Sequence, residues 1–489
     1  MRNATFLFLW LLYYLLFWEE GTGLNLVLFG LLVSLSSKAM QKQWQLREGE
    51  WPYILSFLAT AYAVMAYNSA LGIFAFCIIN FSYQSFLWGP KLSVLEHFSH
   101  GFIRIFNFQK ALLPAPAYGP PSGRRAFAVL RLSILPLVIF GLFFALFRAG
   151  NPMFKEWTND FTGLFTQLFE DFSWGLFWFM LLGFFILRSF FLRNKSWPLS
   201  FQLGDFIQRK PGSKKQKPFS SLALKREYRM ALLVFFSLNI LLLIVNVIDI
   251  RWYWFGFDMP AHFSLKEFLH EGVAYLIASL ILAAAVVFYF FRRNLNFYPG
   301  NKNLKLLAQI WLIQNAVLSI SVLLRTKYYI DFHGLAYGRI LVLSILSIVL
   351  VGLFLLNRKL SEARNYSYVF RHVSLYSLLL IAGLSLWDMD SSILRHNLSH
   401  GRINEIDVDN YLRLNSRVLP MVYANLDRIE EQINAHQSND VRWIKYRDIE
   451  DFSRALDSRR EVFLRGEAKQ SFWSWNWADA KSQRSLAGL

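Results

Sequence analysis

The chain has 489 residues, of which 55% are hydrophobic, 18% aromatic and only 17% charged, whereas about a quarter of the residues in a soluble globular domain carry charge. That composition excludes an ordinary soluble enzyme and reads as a membrane protein. The formal charge of +18 does not indicate a nucleic-acid partner, because the Lys and Arg residues lie in loops between apolar runs, where they set topology. The single cysteine, Cys77, falls within an apolar run, so neither an intrachain disulfide nor a Cys-based metal cluster is available.

Apolar runs able to cross a hydrocarbon layer ~30 Å thick recur through the first 387 residues, without the alternation of barrel strands. They place spans at 4–18, 24–37, 52–67, 70–88, 126–148, 172–192, 230–250, 271–291, 306–324, 337–356 and 371–387, eleven in all. The first is followed by Phe17-Trp18-Glu19-Glu20 instead of a small-residue cleavage site, so it is expected to be retained. The first two are short and either cross fully or form a hairpin.

With a cytoplasmic N-terminus, the loops at 38–51, 89–125, 193–229, 292–305 and 357–370 lie inside, with residues 1–3, and carry most of the Lys and Arg of residues 1–387. The outer loops offer only Lys155, Arg251, Lys266, Arg325 and Lys327. Cations resist translocation, so this asymmetry sets the orientation and puts the C-terminus outside, in the periplasm of a two-membrane bacterium. Within the inner loops, residues 101–113 mix aromatics and cations in the manner of an interfacial segment. The basic stretch 210–229 is expected to lie against anionic lipid, at about 1 kcal/mol per cation near the surface.

After Trp387 the composition changes. Residues 388–489 hold fifteen Lys/Arg and sixteen Asp/Glu, with apolar residues at helical spacing from Tyr411 to Ile433 and from Ile449 to Phe463. This predicts a soluble tail of three or four helices, with Asp409 available as an N-cap, Pro420 starting or bending a helix, and Trp473, Trp475 and Trp477 either packed on the bundle or set at the membrane surface. The fold is therefore all-α: a polytopic membrane helix bundle over 1–387 and a small extracytoplasmic helical domain over 388–489.

Two groups of polar residues stand out. Within the spans, Asn239, Asn246, Asp249, His270, Glu271, Gln314 and Asn315 are costly in a low-dielectric layer. They serve either interhelical packing or, as the sharper alternative, a transport path. At the outer ends of the tenth and eleventh spans, Arg325, Asp331, His333 and Arg339 face Asp388, Arg395, Asn397 and Tyr411, where opposite charges such as Arg339 and Asp388 can dock the tail to the membrane domain.

Other motifs are weaker. Glu96-His97-Phe-Ser-His100 sets two imidazoles three residues apart with no third ligand nearby. Glu156, Asp160, Glu170 and Asp171 give an outer loop an acidic rim of the kind a lipid-linked-sugar transferase uses, and acidic outer loops also follow from the topology rule alone. Phosphate-binding loops, nucleophile elbows and zincin motifs are absent from the sequence, so no catalytic residue, metal or cofactor is nominated.

The order Gly334-Leu335-x-x-x-Arg339, Ile393-x-Arg395-x-Asn397, Tyr411-Leu-x-Leu414 and Pro420, with the late Trp475-Asn476, resembles a widespread bacterial family of multi-pass membrane proteins of unknown function. The resemblance is carried by residues 320–487 and implies an inner-membrane location with an extracytoplasmic helical C-terminal domain. It implies no activity. The chain departs from the family pattern at Asp388-Met-Asp390, where a Pro is usual, and at Asn415-Ser-Arg-Val418, where an acidic Ser-Pro-Asp-Ala turn is usual. The expected role is non-enzymatic: an envelope anchor or sensor that binds a periplasmic or membrane protein through the tail. A transporter-like or lipid-handling protein is the first alternative and a lipid-linked-sugar transferase the second.

Overall fold

A computed structural model describes residues 2–42, 44–88, 93–99, 173–191, 221–255, 272–291, 294–399, 408–438, 445–446, 448–467 and 471–488. The spans expected at 126–148, the basic linker 210–220, residues 101–113 and 149–171, and His100, His270 and Glu271 lie outside these residues.

The described residues form helices and short helical turns: α1 (Arg2–Phe17), α2 (Leu24–Gln41), α3 (Trp51–Tyr67), α4 (Ala70–Trp88), α5 (94–99), α6 (Trp174–Phe191), α7 (Ser221–Asp249, continued by a π turn to Trp254) and α8 (Gly272–Phe290). The longest apolar helices follow, α9 (Lys302–His333), α10 (Tyr337–Glu362) and α11 (Tyr366–Ser385). The tail adds α12 (Met389–Leu398), α13 (Leu419–Tyr423), α14 (Leu426–Ser438), α15 (Ile449–Glu467) and α16 (Trp477–Ala487).

Among the described residues, six helices are long and apolar enough to cross a membrane: α2, α4, α7 from Leu224, α9, α10 and α11. The runs in α1, α6 and α8 are apolar but shorter. Of the eleven spans expected from the sequence, these six meet the criterion of length and hydropathy among the described residues. The chain is an all-helical membrane protein. Its long helices turn residues such as Leu233, Leu241 and Phe354 outward and keep Asn239, Asn246 and Asn315 inside, the reverse of a soluble bundle and the arrangement a lipid solvent favours.

Two compact units divide these helices. The first holds α1 and α6, packed through an edge-on Phe6–Phe184 pair with centroids 5.2 Å apart, a stacked Tyr13–Phe179 pair at 4.4 Å, and the Trp10 indole donating to the Met180 carbonyl at 2.9 Å.

The second unit holds the remaining helices and has three cores. One is built from α7, α8, α9 and α10 around Phe235, Leu280, Val322 and Leu356. Another joins α3 and α4 around Phe57, Phe76 and Ile79. Helix α11 serves both, giving Tyr368 and Val369 to the first and Leu378 and Ala382 to the second. The third core is the tail's own, with Ile393, Tyr411, Leu419, Ile429, Phe452 and Leu456, and it sits on Leu71, Leu335, Ile340 and Leu384 at the ends of α4, α10 and α11.

Hydrogen bonds at a constant residue offset show that α7 runs parallel to α9, since Asn239 meets the Leu307 carbonyl and Asn246 that of Gln314. Helix α2 runs parallel to α4, since Gly30 lies against Asn80 and Ser34 bonds Gln84, each 50 positions on. The helix ends therefore sort onto two faces. On the tail face lie the start of α2, the α3–α4 turn, the end of α9, the start of α10 and the end of α11. On the opposite face, Glu50 pairs with Lys38 and accepts from Tyr83 at 2.7 Å, and Arg47 donates to the carbonyls of Phe86 and Leu87 that end α4. The Lys359 ammonium there donates to the Phe291 carbonyl at the end of α8.

Candidate functional site

The densest polar network in the second unit is the junction where the tail meets the membrane helices. It begins locally. Asp388 caps α12 by accepting the Ser391 amide at 3.2 Å, which fixes Asp390 in the helix's first turn. Asn415 accepts the Arg417 amide at 3.1 Å and so shapes the turn Ser416–Val418 that carries Arg417.

These two short elements bring opposite charges together. Arg417 donates to Asp388 Oδ1 at 2.7 Å and to Asp390 Oδ2 at 2.6 Å, and its other terminal nitrogen donates to the Tyr67 carbonyl at the end of α3. The Arg417 side chain is 6% exposed and that of Asp390 1%. Burying these charges is costly in itself and is offset only by full hydrogen bonding. Asp390 has that bonding, since its second oxygen accepts from the Tyr337 hydroxyl and from the Asn415 amide at 3.0 Å.

The network extends to the two-residue turn between α3 and α4. Asn68, held at φ +42, caps α3 in the left-handed conformation that Asn tolerates better than most residues. Its carbonyl accepts from Asn415 at 3.1 Å, and its amide donates to Asp479 at 2.8 Å. Asp479 is fixed in turn by Asn476, the N-cap of α16, through bonds of 2.9 and 2.6 Å. Nearby, the Leu24 amide that opens α2 donates to the Trp475 carbonyl at 3.0 Å, and Glu20 accepts from Ser471 and Ser474. Desolvation pushes the Glu20 pKa up, but those hydrogen bonds outweigh it and hold the carboxyl below its ordinary value.

A second lock lies at the α9–α10 turn. The Asn397 side chain pairs with the Leu335 backbone in both directions, accepting its N–H at 2.7 Å and donating to its carbonyl at 3.0 Å. Gly334 permits this approach: its φ is +78, and a Cβ there would overlap the Asn397 side-chain oxygen. Arg339 donates to the His333 and Gly334 carbonyls and lies 4.4 Å from the Tyr329 ring centroid, so it terminates α9. Behind Asn397, Gln432 donates to its carbonyl at 3.1 Å and accepts from the buried Tyr411 hydroxyl at 3.0 Å.

The residues nominated at the rim thus have separate fates. Asp388, Asn397 and Tyr411 join the junction. The ion-pair partner of Asp388 is Arg417, not Arg339. Arg325 instead pairs with Asp249 across α9 and α7. His333 is the last residue of α9, and Asp331 and Arg395 are exposed. Asp409 does not cap its own helix. It lies inside a 3-10 turn, and its carboxylate accepts the amides of Lys445 and Tyr446 at 2.7 and 3.2 Å.

Among the described intramembrane polar residues, Asn239, Asn246, Gln314 and Asn315 hydrogen-bond within or between α7 and α9. Asn239 donates to the carbonyls of Phe235 and Leu307 and accepts from Gln314 at 2.8 Å. Asn246 donates to the Gln314 carbonyl at 3.0 Å, and Asn315 turns back to the Trp311 carbonyl of its own helix at 2.7 Å. Glu96 forms a reciprocal cap with Ser93 at the start of α5, and His97 is buried edge-on against Tyr53 and Phe86. An apolar cleft of about 220 Å³ lies between α4, α5 and α11, lined by Ile78, Ser82, Val94, Phe98, Phe370 and Leu378 among others.

The junction carboxylates are engaged with protein donors.

A family model described as a domain of unknown function (DUF4153) matches residues 4–423. No curated protein and no solved structure matches the chain.

Proposed function

The chain belongs to the DUF4153 family, and from that premise we propose that it is a non-enzymatic protein of a bacterial inner membrane whose extracytoplasmic tail is a fixed platform for an envelope partner. The observation that carries this reading is the cluster in which buried Arg417 and Asp390 meet the partly exposed Asp388, and which ties the tail to Tyr67 of α3 and, through Tyr337, to α10. A tail held by buried charge at several helix ends transmits force or position between its surface and the membrane helices. A loosely tethered domain needs no such cluster.

The charge distribution supports the orientation. Helix ends on the tail face carry Arg251, Arg325, Lys327 and Arg339. Those on the opposite face carry Lys38, Lys42, Arg47, Lys225, Arg226, Arg229, Lys302, Lys305, Arg358, Lys359 and Arg364. Under the positive-inside rule, this excess supports a cytoplasmic opposite face. With Cys77 replaced by Ser, a single Cys at Arg465 should react with an impermeant thiol reagent from outside the cell, and protection until lysis overturns the orientation. Crosslinking followed by affinity purification of the tagged chain should recover an envelope protein joined to the tail.

A second reading, lipid handling, draws on the apolar cleft beside α4 and α11. Filling it by Ser377→Trp separates the two, since a platform keeps its tail partner and a lipid-handling protein loses its lipid traffic.

A further inference from the structure

The segment 471–488 closes the tail against α2 and α3, and its first part, 472–479, is built inside out. There the polar residues point toward the protein: Ser474 is fully buried, Asn476 is 2% exposed and Asp479 is buried behind them, whereas the rest of α16 buries Ser482 and Leu486 and turns Lys481 and Arg484 outward. Its aromatic residues point away, with Phe472 70% exposed, Trp473 45%, Trp475 44% and Trp477 65%. A water-facing segment would invert that pattern, because apolar surface favours leaving water and polar groups do not. Four large outward-facing aromatics within six residues mark a surface with a partner.

The height of the segment identifies the partner. Trp475 offers its carbonyl to the Leu24 amide, and Ser474 its hydroxyl to Glu20, so the strip lies level with the first turn of α2, a helix long and apolar enough to cross a membrane. A second tie, from Asn68 to Asp479, holds α16 at the end of α3. At that level a membrane helix leaves hydrocarbon for the headgroup layer, where indole rings are favoured because they combine an apolar body with an N–H donor.

We propose that Phe472, Trp473, Trp475 and Trp477 form a lipid-contacting edge of the tail, seated at the boundary of headgroups and acyl chains in the leaflet on the tail side. The edge continues the lipid-facing surface of the membrane helices onto the tail. It gives the tail a second attachment independent of the Arg417 cluster. The inference does not depend on which side of the membrane the tail occupies, nor on a protein partner.

The test uses the full chain with Cys77→Ser, carrying a polarity-sensitive fluorophore on a single Cys introduced as Phe472→Cys or Trp477→Cys, in nanodiscs of phosphatidylcholine and phosphatidylglycerol. Arg465→Cys on α15, at a side chain 79% exposed, is the aqueous reference. Both aromatic sites should show blue-shifted emission, several-fold weaker quenching by aqueous iodide than the reference, and strong quenching by lipids spin-labelled near the headgroup. Iodide quenching equal to the reference at both sites overturns the proposal. Protection from iodide without quenching by the spin-labelled lipid also overturns it, since the shield is then protein. Two sites on different elements, the 3-10 turn and the start of α16, keep the test decisive if one substitution disturbs folding.

Discussion

Replacing Arg417 with Ala should release the tail without unfolding the membrane bundle. The guanidinium is nearly buried and contacts Asp390, which is itself 1% exposed, so the substitution strands a carboxylate that keeps only the Tyr337 hydroxyl and the Asn415 amide. Breaking one partner from a buried ion pair costs about 3–5 kcal/mol, most of it from the charge left behind. At 1.4 kcal/mol per factor of ten, amides of α12 and α16 should exchange hydrogen roughly 10² to 4 × 10³ times faster. Hydrogen exchange by mass spectrometry in detergent or nanodiscs reads this directly, with α7–α9 as the internal reference. Adding Asp390→Asn removes the stranded charge, so the double variant should recover part of the loss. Unchanged protection in α12 and α16, or equal loss in α7–α9, would refute the reasoning.

Gly334→Ala should lower tail stability by about 2–4 kcal/mol, because φ is positive there and the new Cβ displaces the two-way Asn397–Leu335 pair; tail proteolysis rates check it. A double-mutant cycle on Asn239 and Gln314, each changed to Leu, should return a coupling of about 0.6 kcal/mol in thermal unfolding, as for other interhelical hydrogen bonds in membranes. Zero coupling there would contradict a packing role. Burial works to raise the Glu50 pKa, but Lys38, the Arg47 amide and Tyr83 hold it below its ordinary 4.5, so its stabilisation is complete above that value and vanishes as pH falls through the folded-state pKa. The Tm deficit of Glu50→Gln should therefore be full at neutral pH and shrink in acid.

The membrane helices were legible because burial in lipid demands long apolar runs, and helices α7, α9, α10 and α11 fall where hydropathy puts them. Their ends were less so. Sequence reading stops the span at 324, yet α9 continues to His333, because a helix ends where its cap is, at Gly334 and Arg339, and not where hydropathy falls. The family-like motif supplied half of the junction, since Gly334, Asn397 and Tyr411 are residue types with demanding local geometry. Arg417 was not legible. Its carboxylates lie 27 and 29 positions away and its backbone acceptor 350 away, separations with no periodic signature. Asn68, Asn415 and Asp479 were hidden for the same reason, although a two-residue turn holding an Asn hints at a left-handed cap.

The proposed role makes the tail a platform coupled to the membrane helices. Photocrosslinkers placed in living cells at Arg454 and Arg465, both well exposed on α15, test it most directly when compared between the native chain and Arg417→Ala. A coupled platform gives a discrete protein adduct in the native chain that is lost or strongly reduced in the variant at equal expression. Absence of any tail adduct, or an adduct indifferent to Arg417→Ala, would contradict it.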